Sequence, residues 1–500
     1  MGTLDKVKGL VENPPKEYRS APFWGWNDRL QKENLGEQIE GFKKAGMGGF
    51  FIHSREGLET EYLSTEWMED VKFCVDKAQE NDLELWIYDE DKWPSGAAGG
   101  KVSRVNPAEF TARALTMECG KAGELAVPAK LSNEEERTVT GDSDSIMCGG
   151  NRSVDENFMS GRNGGEDLAV EETMETEFLQ GVYVIQTAAD GRFIKRMKEY
   201  LTYEEAAGAC GVDEEILLLR QEISGKSEWY NGLMPPDNLN PESVKTFLKL
   251  THEHYEEVFG GSFPKEVKGF FTDEPNCCDF FSVFHEGRPW IPWSIGFTEY
   301  FIEKRGYDPQ EKLPYLFFDG EGAEKIRHDY WKTVAQRFEE SYMKQVYEWC
   351  DKRGLRTTGH ILYENDLGYQ TRVCGAAMPQ LRYLHNPGID LLGAQTDEYL
   401  TVKQCASVAH QYERSMTISE AYGCTGWELD FSTQKWLGDW QFALGITRRC
   451  QHLALYSITG CRKRDYPPVF NYQNTWWDDN DKMENYFGRL ALCLSQGEPV

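Results

Sequence analysis

The feature that most constrains this chain is a repeated unit. A short apolar run ends in polar or acidic residues, and a stretch with helical spacing follows. Residues 22–27 (PFWGWN), 48–54 (GGFFIHS) and 83–90 (LELWIYDE) are three such runs. Between the first two, Leu35, Ile39, Phe42 and Ala45 recur at helical spacing and Gly46 stops them. Between the second and third, Ser64 is placed to cap a helix reaching Asn81, with Val71, Val75 and Ala78 along one face. Strand, helix, strand, helix, strand is the pattern of a parallel α/β sheet.

The series continues at 267–274, 355–362, 388–393, 416–423 and 453–460, with helices expected over 241–259, 294–305, 322–353, 401–412 and 432–450. Eight strands with intervening helices predict an α/β fold of the (β/α)8 TIM-barrel type. The rhythm breaks once. A third helix is expected from 108–115, after which 116–225 hold the alternating run 182–187 and an acidic stretch over 131–180 without a lysine. This predicts a β-rich insertion with an acidic loop after the third strand–helix unit. The expected division is 1–115 and 226–485 for the barrel, 116–225 for the insertion, and 486–500 for the start of a further region in a truncated chain.

Composition excludes some partners. With 54 Lys and Arg against 83 Asp and Glu, the net charge is −29, which repels nucleic acid and anionic membrane surfaces. No run of about 20 apolar residues predicts a membrane span. The first residues lack the apolar core of a secretory leader, and the 13 cysteines are scattered without a C-x-x-C pair, which together predict reduced thiols in the cytoplasm.

In such a barrel the working residues sit at the C-terminal ends of the strands. Those positions hold Trp24, Trp26 and Asn27; His53 and Arg55; Asp89, Glu90, Asp91 and Trp93; Asp273 and Glu274. Further along come His360 and Glu364, Glu420 and Tyr422, and the run Arg462, Lys463, Arg464, Asp465. Carboxylates at several strand ends with aromatics between them suit glycoside hydrolysis, in which one carboxylic acid protonates the leaving oxygen and a second carboxylate activates water or attacks the sugar. Glu274, beside Phe270, Phe271, Pro275 and the like charge of Asp273, is the expected acid; Glu420 on the seventh strand is the expected second carboxylate. Trp24, Trp26, His53, Asp89, Glu90, Trp93, Asp273, His360 and Tyr422 are the expected sugar contacts. Arg462–Arg464 read more readily as a salt-bridge cluster than as a substrate clamp.

The segments PFWGWN, GGFFIHSREGLETEYLS, YDEDKWPSGAAGG, FTDEP, SEAYG and YSITGCRKRDYPP together resemble bacterial glycosyl hydrolases in or near family 106, the α-L-rhamnosidases. The resemblance runs from Pro22 to about Gly497 and is weak in the insertion. It implies a (β/α)8 catalytic domain followed by β-domains, inversion at the anomeric carbon, Glu274 as acid, Glu420 as base, and a calcium ion near the sugar hydroxyls with Glu364 as a candidate ligand. One departure keeps an alternative open. Asp-Glu-Pro on strand four with Glu on strand seven also resembles the retaining barrel glycosidases, such as β-galactosidases, which carry Asn where Asp273 stands; Glu420 would then be the nucleophile. A carbohydrate-binding barrel without catalysis is the third reading.

Overall fold

The structure is a computed structural model that describes residues 3–126, 176–277 and 288–496. Most of the acidic stretch expected as a loop lies outside the described residues. In chain order the strands are β1 (Phe23–Trp26), β2 (Gly49–Ser54), β3 (Glu84–Tyr88), β4 (Arg113–Gly120), β5 (Glu177–Thr187), β6 (Ile194–Tyr200) and β7 (Glu215–Ile223). They continue with β8 (Val267–Thr272), β9 (Trp290–Trp293), β10 (Arg356–Gly359), β11 (Asn386–Leu391), β12 (Ile418–Ala421), β13 (Arg448–Gln451) and β14 (Ala454–Leu455). The chain forms two units: Met1–Val102, Val244–Asn276 and Glu339–Val500 in the first, Ser103–Ser243 and Cys277–Phe338 in the second.

The first unit is the expected barrel. Its parallel strands run in the order β13-β12-β11-β10-β8-β3-β2-β1-β14. The two ends of that series, β13 and β14, are successive halves of one stave broken at His452–Leu453, so the ring closes on eight staves. Strand alternation decides what each residue faces. Phe23 points inward and meets Phe51, Tyr88 and Phe271, its ring 4.7 Å from that of Phe271. Trp24 points outward against Phe42 of the helix Lys32–Lys44. That helix buries Leu35, Ile39 and Phe42, as its spacing predicts, and Gly46 (φ +82°) turns the chain away after it. The helix Thr65–Glu80 starts at Ser64, whose hydroxyl accepts from the Trp67 N–H, and buries Trp67, Val71, Val75 and Ala78. Burying a side chain of the size of Val, Leu, Ile or Phe contributes about 1.5–3 kcal/mol through removal from water. At the foot of β8, a Cβ on Gly269 would stand 1.8 Å from the Arg356 carbonyl oxygen, so only glycine lets β8 and β10 pair there.

Two expected elements differ. The eighth stave was expected at 453–460 with a helix over 432–450. The helix instead ends at Leu444 and Arg448–Gln451 is already strand. RRCQ lacks the apolar signature of a strand because its arginines are neutralised in place. Arg448 pairs with Glu84 at 2.7 Å and Arg449 with Glu484 at 2.6 Å, and both arginines are 1% exposed. The helix expected from 108–115 is two short turns, Lys101–Val105 and Pro107–Phe110, followed by β4. Pro107 opens the second turn, and β4 is then held by antiparallel pairing to β7 and β9.

The second unit is an antiparallel sheet in the order β6-β5-β7-β4-β9. Leu179, Val182, Val184, Ile216 and Leu218 form a buried cluster with Ala206 of the helix Tyr203–Ala209. The expected insertion, 116–225, falls within the span of this unit. Among the described residues no helix is long and apolar enough to cross a membrane.

Candidate active site

β8 delivers Asp273 and Glu274 to the end of the barrel. Asp273 is held from three sides. Its N–H donates to Ser95 Oγ at 2.8 Å, Tyr88 OH donates to its Oδ2 at 2.5 Å, and His360 Nε2 lies 3.0 Å from its Oδ1. The same His360 nitrogen lies 3.0 Å from Glu420 Oε2, so one imidazole bridges carboxylates from β8 and β12. Burial acts to lower the His360 pKa, but Asp273 and Glu420 together hold it well above its usual value, as an imidazolium. Glu420 is pulled two ways: burial raises its pKa, the His360 hydrogen bond lowers it, and the net direction is upward.

Glu274 takes a left-handed backbone conformation (φ +48°), uncommon for a residue with a Cβ and found preferentially at functional positions. Burial, and then the neighbouring Asp273, push its carboxyl up to about 8. Asp390, which sequence reasoning missed, joins the cluster from β11, where it pairs in register with Glu420. Its Oδ1 is buried without a hydrogen-bond partner. Burial and then Glu420 raise its pKa well above the carboxylate range. The signal was a lone acid inside the apolar run GIDLLG.

A second group lies alongside. Arg55 forks onto Asp465, Nε to Oδ2 at 2.7 Å and Nη2 to Oδ1 at 2.9 Å. Its remaining donors reach His53 Nε2 and His452 Nε2, each at 3.1 Å. An arginine N–H needs an unprotonated ring nitrogen to accept it, so both imidazoles are neutral. Burial, and then Arg55, drive His53 well below its usual pKa and His452 down to about 3. His53 stacks on Tyr88 at 3.6 Å, and Trp93 covers the Arg55 guanidinium at 4.6 Å. The half-buried Trp93 meets the exposed Tyr466 edge to face. Tyr88 and His452 were not anticipated. Tyr88 lies inside an apolar run, and His452 lies where a helix end was expected.

The structure thus brings together His53, Asp273, Glu274, His360, Glu420 and, at the rim, Trp93. Other expected contacts stand elsewhere. Trp24 and Trp26 are fully buried between strands and helices; Trp24 Nε1 donates to Gln38 and Trp26 packs on Trp67, so neither presents a face to a sugar. Their spacing of two puts both on the outer side of β1. Tyr422 donates to the Gln434 carbonyl at 3.2 Å and packs on Phe470 toward the helix Phe431–Leu444, so it does not face the centre. Asp89 turns to Ser95 Oγ at 2.6 Å and to His252 at 3.9 Å. Glu90 is a loop staple: its two oxygens accept the N–H groups of Asp91, Gly96, Ala97, Ala98 and Gly99. Arg462 is a clasp, bonded to the carbonyls of Asn27 and Gly57 and paired with Asp28.

Glu364 is likewise committed. Its oxygens accept the Asp390 N–H at 2.9 Å and the Ile361 N–H at 3.4 Å, and burial raises its pKa to about 7. Among the described residues two groups of three potential metal ligands converge within 4.8 Å, Asp273–His360–Glu420 and Glu274–His360–Asp390. Both contain an imidazole nitrogen and neither contains Glu364, whereas calcium takes six to eight oxygens. Neither three-residue group by itself offers the all-oxygen set that calcium takes.

A family described as alpha-L-rhamnosidase, glycosyl hydrolase 106, matches residues 236–500. No curated protein matches the chain. Among solved structures, a rhamnosidase from Novosphingobium sp. PP1Y is similar with a TM-score of 0.63 at 15% identity, covering 98% of this chain and 61% of that one. This chain therefore spans about three-fifths of that protein's length. An endo-beta-1,4-mannanase from Thermotoga petrophila matches with a TM-score of 0.38 at 8% identity, covering 98% of this chain and 79% of that one.

Proposed function

We propose, for a chain that belongs to glycosyl hydrolase family 106, that the end of this barrel hydrolyses glycosidic bonds. The observation that carries the reading is the bridge Asp273–His360–Glu420 beside Glu274. Burial and Asp273 push the Glu274 carboxyl up to about 8, and His360 hydrogen-bonds Glu420 and opposes the rise that burial causes there. Glu274, with its pKa near 8, gives its proton to the leaving glycosidic oxygen as the bond from that oxygen to the anomeric carbon breaks. Glu420 takes a proton from a water whose oxygen bonds to the anomeric carbon from the opposite face. The products are a sugar of inverted configuration and an alcohol. Both carboxyls then return to their starting states by proton exchange with solvent.

The substrate class we infer is an α-L-rhamnoside or a related deoxy sugar, cut from the end of a chain. The family description, alpha-L-rhamnosidase, supports the rhamnoside. The cysteines among the described residues are free, which supports a reducing, cytoplasmic setting. No step in this chemistry runs through a cation. Glu274→Gln and Glu420→Gln are each expected to lose about 10²–10⁴-fold in turnover of an aryl α-L-rhamnoside while folding normally. An aryl leaving group of low pKa restores much of the loss in Glu274→Gln and none in Glu420→Gln. Proton NMR of the first-formed sugar should show the inverted anomer. Near-parental turnover in both variants would refute the assignment, and a retained anomer would make Glu420 a nucleophile.

A further inference from the structure

The first unit carries a cavity of about 590 Å³ apart from the catalytic cluster. It lies where the loops leaving β1 and β14 meet the helix Lys32–Lys44. The buried Asn27 ties the lining residue Ser457 to the end of β1: Asn27 Nδ2 donates to the Ser457 carbonyl at 2.8 Å and the Ser457 N–H donates to Asn27 Oδ1 at 2.9 Å. The floor is rigid. Gln38 accepts from Trp24 Nε1 at 2.8 Å and from Asn471 Nδ2 at 2.9 Å, and donates to the Tyr456 carbonyl at 3.0 Å. Tyr456 OH in turn accepts the Gln31 N–H at 3.0 Å. Above that floor the lining is open. Tyr472 is 64% exposed, and Asn34, Glu37 and Arg29 are exposed beside it.

The chemistry of this lining selects a ligand. Clefts of about 300–1,000 Å³ hold small molecules. Carboxamides, two carboxylates and a guanidinium offer donors and acceptors, and an exposed aromatic ring offers a flat apolar face. A purely apolar ligand would leave those groups unpaired. An anion would meet Asp28 and Glu37 on a chain of net charge −29. A neutral polyhydroxylated ring satisfies both the polar rim and the aromatic face.

We propose that this groove is a second saccharide-binding site, taking a neutral sugar unit of a glycan whose end lies in the barrel mouth. The glycan context rests on the proposed hydrolase function; the binding itself does not. The test uses the full chain labelled with 3-fluorotyrosine, with the Tyr472 resonance assigned by Tyr472→Phe. Fluorine spectra are followed during titration with L-rhamnose, D-galactose, D-mannose, D-glucose and neutral rhamnose-terminated oligosaccharides. The expected result is a saturable shift of the Tyr472 resonance, kept in Glu420→Gln and weakened about tenfold by Asn34→Ala with Glu37→Ala. Turnover of a small aryl glycoside is unchanged by those substitutions, while KM for the longest oligosaccharide rises. A Tyr472 resonance unmoved across the panel overturns the proposal. A shift without turnover of any glycoside upholds the groove and overturns the hydrolase reading instead.

Discussion

Replacing His360 by glutamine tests the electrostatics of the centre directly. The imidazolium contacts Asp273 Oδ1 and Glu420 Oε2, each at 3.0 Å, with its side chain 1% exposed. A hydrogen bond to a buried charged group contributes about 1.5–3 kcal/mol, and about 1.36 kcal/mol corresponds to one pKa unit. Removing the positive charge withdraws about that much stabilisation from the charged form of Glu420 and raises its pKa. His360 also lowers the Glu274 pKa from where burial and Asp273 would put it, so that value rises from about 8 as well. The signs are then fixed. Activity needs Glu420 ionised, so the acid limb of kcat/KM against pH moves to higher pH. Activity needs Glu274 protonated, so the alkaline limb moves the same way. The whole bell shifts toward alkali instead of narrowing. The assay is an aryl α-L-rhamnoside over a pH series, with urea unfolding of the same protein to confirm a folded state. A bell that stays in place while its height falls would refute the charge-bridge role of His360.

Three further outcomes follow from other contacts. Arg55→Lys removes the fork onto Asp465 and the contacts to two imidazoles, and should destabilise the chain by about 1.5–3 kcal/mol, read as a lower urea midpoint at unchanged slope. Glu90→Gln turns an NH₂ toward backbone N–H donors and leaves at least two of them unpaired, at about 1–3 kcal/mol each. Amide hydrogen exchange should then speed up at residues 96–99 before it does elsewhere, and uniform protection would contradict the staple. Exhaustive chelation should leave turnover unchanged, and a loss reversed by added calcium would show that the donor set is completed from outside the residues described.

The barrel was legible because its staves are apolar runs punctuated by polar ends, and period-2 and period-3.6 signals separate cleanly there. The eighth stave was not, because Arg448 and Arg449 read as exposed residues until Glu84 and Glu484 are placed beside them. Position along a strand was also legible, which is why Asp273, Glu274, His360 and Glu420 were expected at strand ends, where the structure places them together. Facing was not. Trp24 and Trp26 lie at the correct end of β1 but on the wrong side, and Glu90 lies one step past β3, where a short loop claims both its oxygens. Asp390 enters the centre from inside an apolar run with no polar punctuation, and His452 from the junction where a helix end was expected.

The broken eighth stave has a consequence for how the chain reaches its native state. β13 hydrogen-bonds to β12 and β14 to β1, so the ring is sealed by contacts such as Asn27 with Ser457, 430 positions apart. As the polypeptide leaves the ribosome, β1 to β3 emerge with the outer edge of β1 unpaired. That edge stays open until the partner stave has been synthesised. Pairing across so long a sequence separation is intrinsically slow, and an open parallel edge exposes the chain to association before the ring closes. Recovery from denaturant should therefore fall as protein concentration rises.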